Sequence, residues 1–542
     1  MKYSNRTFTK YIIDFFHQKG IKYVCIAPGS RNTPLTEAFI NHKKIKCFSH
    51  IDERSLCYYA IGLAKASSTT VAVLTTSGTA TANLFPGIVE SKLSKTPLLI
   101  LTADRPSSLI NTGEPQTINQ NNLYGEYVNE MLDVDFKNKN LNTLINKISK
   151  KMSKSIQDSA PIHINFRFDE PLFDTIDKVP KLKLNNNIPL KSKAVTLPII
   201  NLLPEFKRPL IICGPMSPNS EKKYILLFAK KINAPIFADV LSQMRNKKNK
   251  KIFVYYENYL KKIEEKPDIV FRFGDKPISK NLNIFLNKTP TFLISEKDIN
   301  NDNCKNKIIL EYKNLLTHIS TDCVGEKPWI KSFRLLEKNV SEIITTKIKG
   351  NNHATLIIST LKKIKKGDHI LIGNSTTIRM FERFSGNFNK NINVYGNYIT
   401  RGIDGLVSTA LGMSTINKKF NNYLFIGDLS FFYDINAFHI LKNEKINLTI
   451  IVANNNGGQI FSQLPYANNN IKHFEKYWIT PPFTEIKNVA RLFKLRYYKF
   501  DVDMIEKNLH RISKYKGVTI IEIKINTNKD KKLLTLFNQI SK

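Results

Sequence analysis

Two short apolar runs near the end of the chain each give way to residues able to hold a cation: NYLFIGDLS places Asp428 after the first, and NLTIIVANNNGG places Asn455 after the second. The 27 residues from one to the other suit a single strand–helix–strand crossover, which sets the carboxyl ends of two parallel strands side by side. A carboxylate, an amide oxygen and a freed backbone carbonyl make an all-oxygen set of the kind Mg²⁺ prefers, and such a site accepts diphosphate oxygens as well. Gly457 and Gly458 let the backbone come close to that ligand. Asp, Asn and Gly are also the ordinary residues of strand-end turns. The inference therefore rests on the two motifs together, at this spacing.

A second group of candidates lies in the first third of the chain. HIDERSLCYYAIGLAKAS sets Asp52, Glu53 and Arg54 at the start of a helix. Acids there compensate the helix dipole; the alternative is a largely buried carboxyl that exchanges a proton near neutrality. APGSRNTPLTEAF offers Ser30 and Arg31 just past a strand, where helix amides, a hydroxyl and a guanidinium together bind carboxylates. A helix cap beside a surface arginine accounts for the same residues. TADRPSSLINTGEPQTINQ likewise supplies Arg105 after a strand and Gln116 downstream. The ten histidines form no HExxH pattern, and the six cysteines form no CxxC pair, so neither a His-centred mechanism nor a zinc site is expected.

These residues need a frame that brings strand ends together. YVCIAPGS, VAVLTTSG, PLLILTADRP and PIHINFRF are predicted buried strands, with amphipathic ERSLCYYAIGLAKAS and TANLFPGIVESKLSK between them. A polar stretch over 174–192 is predicted to be a linker. PLIICGP, APIFADV, DIVFRFGD and TFLIS then mark a second α/β block, and helices are expected over 326–352. HILIGNS, NYLFIGDLS, NLTIIVANNN and VTIIEIKIN mark a third. The α/β fold class follows, with three domains at about 1–178, 190–340 and 350–542. The net charge of +37 alone would suit a nucleic-acid binder. Its lysines are instead spread along the whole chain beside asparagines (KNKNLN, NKKNKK, NKDKK), so no nucleic-acid partner is expected. No apolar run reaches bilayer length. The N-terminal segment, with Tyr11, Ile12, Phe15 and Phe16 on one helix face, lacks a signal-peptide pattern, and a cytoplasmic location is expected.

GDL followed by NNN at this interval resembles the thiamine-diphosphate fingerprint of the decarboxylase superfamily. The longer forms GDLSFFYDIN and NNNGGQIFSQLP resemble the 2-succinyl-5-enolpyruvyl-6-hydroxy-3-cyclohexene-1-carboxylate synthase (MenD) family within it. PGSRNTPL, DERSLCYYAIGLAKAS, TTSGTATANLFP, TADRP and LIGNSTTIR carry the same resemblance, which spans roughly 5–171 and 353–525; PLIICGP and DIVFRFGDKPISK support it between.

The resemblance implies three α/β domains, each a mainly parallel sheet flanked by helices. They bind the cofactor pyrimidine, occupy the centre and bind diphosphate, respectively. It implies thiamine diphosphate with Mg²⁺, or Mn²⁺, held by Asp428, Asn455 and the carbonyl of Gly457, beside Leu429 and Ser430. Glu53 becomes the catalytic acid that bonds N1′ of the aminopyrimidine, with Ser77, Gly78 and Thr79 closing round that ring. Ser375 lies by the cofactor, and Ile403 supports its bent conformation. Ser30, Arg31, Arg105, Gln116, Lys280 and Arg379 are implied substrate contacts, and Ile460, Phe461 and Leu464 an apolar wall. The implied reaction is decarboxylation of 2-oxoglutarate and 1,4-addition of the succinyl carbanion equivalent to isochorismate, in menaquinone biosynthesis. Because the family's cofactor sits between the first domain of one subunit and the third of another, a homodimer or homotetramer is implied. The alternative readings are another thiamine-diphosphate carboligase or decarboxylase, or a cofactor-binding but impaired homologue. Two positions depart from the family pattern. NYITRGIDG has Tyr398 where the family has an arginine, with Arg401 three residues on, and Pro115 precedes Gln116 where Asn is usual.

Overall fold

The computed structural model describes residues 3–135, 140–175, 204–246, 248–296, 302–318 and 323–540. From residue 176 onward the expected linker lies outside them. Among the described residues, eighteen strands form three six-stranded sheets. The first comprises β1 (Tyr23–Ile26), β2 (Lys46–Ser49), β3 (Val71–Thr75), β4 (Leu98–Asp104), β5 (Glu130–Val134) and β6 (Ile162–Arg167), in the order β2-β1-β3-β4-β6-β5, with parallel pairing throughout. The second comprises β7 (Pro209–Cys213), β8 (Ile236–Ala238), β9 (Ile252–Phe253), β10 (Ile269–Phe273), β11 (Thr291–Ser295) and β12 (Asn306–Ile309), also parallel, in the order β12-β11-β10-β7-β8-β9. The third comprises β13 (His369–Ile372), β14 (Asn393–Tyr395), β15 (Asn422–Gly427), β16 (Leu448–Asn454), β17 (Arg496–Phe500) and β18 (Val518–Lys524), in the order β14-β13-β15-β16-β18-β17.

Each sheet contains the four strands expected from its apolar runs. The two it adds are always its edges: β2 and β5, β9 and β12, β14 and β17. The reason is burial. Strands covered on both faces are apolar throughout, as in VAVLT and LLILTAD. Edge strands such as RYYKF and KCFS are mostly exposed or half-buried and carry no such run.

The chain divides into two compact units. One comprises Met1–Lys191, Ile399–Lys419 and Tyr433–Leu448; the other comprises Ser192–Tyr398, Phe420–Phe432 and Thr449–Lys542. In the first unit the N-terminal helix Asn5–Gln18 buries Tyr11, Ile12, Phe15 and Phe16 in the core against the first sheet. Helix Glu53–Ser67 packs on helix Leu406–Ile416 almost backbone to backbone. A Cβ on Gly62 would lie 2.1 Å from the Thr409 carbonyl, and one on Gly412 2.1 Å from the Tyr59 carbonyl. In the second unit, the fully buried Arg245 joins the second sheet to helix Thr376–Phe384. Its Nε donates to Ala238 O (2.9 Å), its Nη1 to Ser385 Oγ (3.0 Å), and its Nη2 pairs with Glu382 Oε2 (2.9 Å).

Strand order locates the crevices. In the first sheet the connections diverge between β1 and β3, and in the third between β13 and β15; ligands of open α/β sheets bind beyond the carboxyl ends of strands at such points. The corresponding point of the second sheet, between β7 and β10, is closed by backbone: a Cβ on Gly214 would lie 1.9 Å from Asp275 O. Among the described residues, no helix is long and apolar enough to cross a membrane.

Candidate active site

In the first unit, the loops after β1, β3 and β4 converge. Arg105 follows β4 directly, and its Nη1 donates to Ser77 Oγ (2.9 Å) and to the Gln116 carbonyl (3.1 Å). Gln116 Nε2 returns a bond to Ser77 O (3.0 Å). Gly78 has a φ of +79°, and a Cβ there would press on Gln116 Cγ at 2.8 Å, so the close approach of these loops requires glycine. Arg31, half-buried, donates to Phe168 O (3.3 Å) and lies 3.5 Å from Glu170 Oε1. Burial, and then the neighbouring Arg105 charge, lower its pKa. A half-buried guanidinium whose charge is disfavoured by burial and by a neighbouring arginine favours an anionic ligand beside it. Ser30 and Thr79 are exposed at the same loops.

Beneath them runs a buried polar network that motif reading did not reach. Gln120 Oε1 accepts from Gly78 N (3.0 Å), while its Nε2 donates to Asn165 Oδ1 (2.7 Å). Asn165 Nδ2 donates to Asp104 Oδ2 (3.0 Å), and Asp104 Oδ1 accepts the Arg105 amide (2.8 Å). Arg167 Nη1 donates to the Arg105 carbonyl (3.0 Å). Burial raises the Asp104 carboxyl even so, with the bonds from Asn165 and Arg105 acting against it. The backbone of Arg105 is thus held on both sides by buried charge.

Glu53 begins helix Glu53–Ser67 and is half-buried in the single chain. Its Oε2 accepts from Asn83 Nδ2 (3.2 Å), a residue no motif singled out. Asn83 ends the short helix Thr79–Asn83, so a single segment runs from Ser77 and Gly78 in the arginine cluster to the carboxylate of Glu53. Ile403, 37% exposed, lies in the loop before helix Leu406–Ile416.

In the second unit, β15 and β16 pair in parallel with Gly427 opposite Ala453, which brings Asp428 and the turn after Asn454 together as the spacing predicts. Asp428, 2% exposed, accepts from Leu429 N (2.8 Å) and Gly457 N (2.7 Å). Burial raises its pKa, with the Gly457 and Leu429 amides acting against it. Gly457 has a φ of +108°, and the Gly458 amide donates to Ile479 O (2.6 Å), fixing the turn. Asn455 is half-buried beside it, Leu429 half-buried and Ser430 buried on the helix that Asp428 begins. Ser375, with a φ of +65°, stands just before helix Thr376–Phe384 without a side-chain capping bond, three residues beyond β13, the neighbour of β15. Arg379 is exposed on that helix, and Lys280 is exposed at the start of helix Lys280–Phe285. Ile460 is half-buried; Phe461 and Leu464 are 37% and 38% exposed on successive 3₁₀ turns. Tyr398 donates its hydroxyl to Asp275 Oδ2 (2.6 Å), and Arg401 is exposed.

The residues around Asp428 fit a diphosphate-bound cation. A carboxylate oxygen can meet a cation while also accepting amide hydrogen bonds. A Cβ built on Gly427 meets nothing within 4 Å, so the strand end opens on free space beside a buried charge. Among the described residues, no group of three or more His, Cys, Asp or Glu could hold a metal. A cation at Asp428 therefore draws its other ligands from amide, carbonyl and phosphate oxygens, the set Mg²⁺ accepts.

Family comparison agrees with this division of labour. Residues 6–123 match the thiamine pyrophosphate enzyme N-terminal TPP binding domain, 203–372 the middle domain of thiamine pyrophosphate enzymes, and 376–523 their C-terminal TPP binding domain. The protein is thus a thiamine pyrophosphate enzyme with both cofactor-binding domains. A relative from Staphylococcus epidermidis named 2-succinyl-5-enolpyruvyl-6-hydroxy-3-cyclohexene-1-carboxylate synthase is 36% identical over 504 residues, 89% of this chain and 88% of the relative. Synthases of the same name from Staphylococcus haemolyticus and Staphylococcus aureus are each 34% identical, covering 94% and 95% of this chain and 94% and 92% of theirs. The chain belongs to the 2-succinyl-5-enolpyruvyl-6-hydroxy-3-cyclohexene-1-carboxylate synthase family.

Proposed function

We propose that this protein decarboxylates 2-oxoglutarate and adds the succinyl fragment to isochorismate in a 1,4-addition, a C–C bond-forming step of menaquinone biosynthesis. The observation that carries the choice of substrates is the arginine cluster. Arg105 is locked to Ser77 and Gln116 with Arg31 beside it, a partly buried cationic crevice suited to substrates that each bear two carboxylates. Thiamine diphosphate, when bound, supplies the electron sink for loss of CO₂ and the nucleophilic carbon for the addition. The chain supplies position and charge. Asp428, Asn455 and the Gly457 carbonyl hold Mg²⁺ or Mn²⁺ with the diphosphate, and Leu429, Ser430 and Ser375 line that end. Glu53 holds and exchanges a proton at N1′ of the aminopyrimidine, with Asn83 orienting its carboxylate. Ser77, Gly78 and Thr79 bound the pyrimidine end, and Ile403 supports the cofactor's bent form. Arg31, Arg105, Arg379 and Lys280 bind substrate carboxylates with Ser30 and Gln116, and Ile460, Phe461 and Leu464 exclude water. The family pattern supports a homodimer or homotetramer acting in the cytoplasm, which light scattering and cell fractionation test.

The direct experiment is turnover with thiamine diphosphate, Mg²⁺, 2-oxoglutarate and isochorismate, each omitted in turn. Loss of isochorismate absorbance that needs every component, with formation of the succinyl adduct, is the expected result. Cofactor binding without either change overturns the proposal.

A further inference from the structure

Glu53 is gripped from an unexpected direction. The residues on either side of it, His50, Asp52 and Arg54, all bond to the turn that begins at Tyr433, some 380 residues away in the chain. Asp52 caps the Glu53 helix, its Oδ1 accepting the Ser55 amide (3.0 Å). Its other oxygen accepts Asn436 Nδ2 (3.0 Å). The Asn436 carbonyl accepts His50 Nε2 (3.0 Å), leaving His50 Nδ1 to accept the Asp52 amide (3.0 Å). Arg54 donates to the Tyr433 carbonyl (3.2 Å) and lies 4.7 Å from the centre of its ring. The turn is itself fixed by fully buried Asp434, which accepts both Ser408 N (2.7 Å) and Ser408 Oγ (2.9 Å).

A helix start needs only the Asp52–Ser55 bond for its cap. The remaining bonds exceed that need, and they converge on the residues flanking Glu53 while its carboxylate stays half-exposed. Burial acts against the Asp52 charge, but the bonds from Asn436 and Ser55 outweigh it and hold its pKa below the ordinary value. The Asn436–Asp52 bond is therefore charge-assisted, the strong kind. We infer that Asn436 is a positioning residue for the reaction: through Asp52 it sets the direction in which Glu53 leaves the first helical turn. This rests on Glu53 exchanging a proton with the cofactor. Misplacing a reacting group by about 1 Å can cost on the order of a hundredfold in rate.

The test is a swap. Asn436→Asp faces Asp52 with a second carboxylate, and Asp52→Asn faces Asn436 with a second amide; the double variant D52N/N436D restores donor to acceptor and still caps Ser55. Each single variant, and the milder Asn436→Ala, is expected to lower kcat tenfold or more. Cofactor Kd by calorimetry and KM for 2-oxoglutarate should stay within twofold. In cofactor-free protein, the amide of Ser55 should exchange hydrogen about tenfold faster in Asn436→Ala. The swap should return kcat to within threefold of wild type. Single variants with normal kcat, or a swap no better than the product of its parts, overturn the inference. Glu53→Gln is measured alongside. If it retains turnover, the reading of Glu53 itself fails; if it is inactive while Asn436→Asp is normal, only the positioning role fails.

Discussion

Gly457→Ala is the most informative single perturbation of the diphosphate end. At Gly457 the backbone has a φ of +108°, and a Cβ there would lie 2.3 Å from the Ile479 carbonyl and 3.1 Å from Ile479 Cγ2. For alanine such a sparsely populated positive-φ backbone conformation costs on the order of 1–3 kcal/mol. The clash must be relieved by moving the turn, and that movement breaks the 2.7 Å bond from the Gly457 amide to Asp428, a bond to a charge that contributes about 1.5–3 kcal/mol. Without ligand the turn can relax, so most of this cost falls on assembling the site. An upper estimate of about 3–5 kcal/mol corresponds to roughly two to three and a half orders of magnitude in cofactor affinity. Calorimetric titration of thiamine diphosphate at saturating Mg²⁺ measures it. Gly20→Ala is the control: Gly20 has a φ of +92°, but a Cβ there meets nothing within 4 Å, so only stability should fall. Wild-type affinity in Gly457→Ala, or an equal loss in Gly20→Ala, would refute the reasoning.

Arg105→Met should raise KM for 2-oxoglutarate by about tenfold to a hundredfold, since bonds to charged groups contribute about 1.5–3 kcal/mol, with cofactor Kd little changed; steady-state kinetics and calorimetry decide. His163 is fully buried, and because the Thr102 hydroxyl donates to Asn165 Oδ1 (2.7 Å) it accepts from His163 Nε2 (2.7 Å), leaving Nδ1 bare; burial pushes this imidazole down to about 3. Below the ordinary value of about 6.5 the unfolded chain binds a proton that the folded one refuses, so stability present above that pH is lost as pH falls toward 3. His163→Gln should flatten the fall in melting temperature between pH 7 and pH 4, and parallel curves would count against this account. Tyr398→Phe removes the 2.6 Å bond to Asp275 and should lower thermal stability, whereas Tyr398→Arg, able to pair with that carboxylate, should lower it less; the reverse order in melting temperature would show that the bond contributes little.

The diphosphate end was legible because its information is local. A strand end, its first turn residue and the crossover length fix where Asp428 and the glycines meet, and each is written in adjacent letters. The arginine cluster was half legible. Arg31, Ser77 and Arg105 follow apolar runs, but that Arg105 bonds Ser77 and Gln116 depends on the order β1-β3-β4 within the sheet. The burial of the Glu53 carboxylate was not legible, because an acid at a helix start reads alike whether its carboxylate points inward or outward.

The sequence by itself determined the class of fold, the central strands and which residues stand at their carboxyl ends, since buried parallel strands must be continuously apolar and the turn residues follow them directly in the chain. Only the tertiary structure decided the six edge strands, which are either partly solvated, as in RYYKF and KCFS, or only two or three residues long, as in β9 and β14, and so lack that signature. It also decided the amide contacts Asn83–Glu53, Gln120–Gly78 and Asn436–Asp52, whose members stand 30, 42 and 384 residues apart. In a chain crowded with surface asparagines, an amide that bonds a distant carboxylate has the same local neighbours as one that only meets water. Its role is set by what folding brings within 3 Å or so of it, and that is a property of the whole chain.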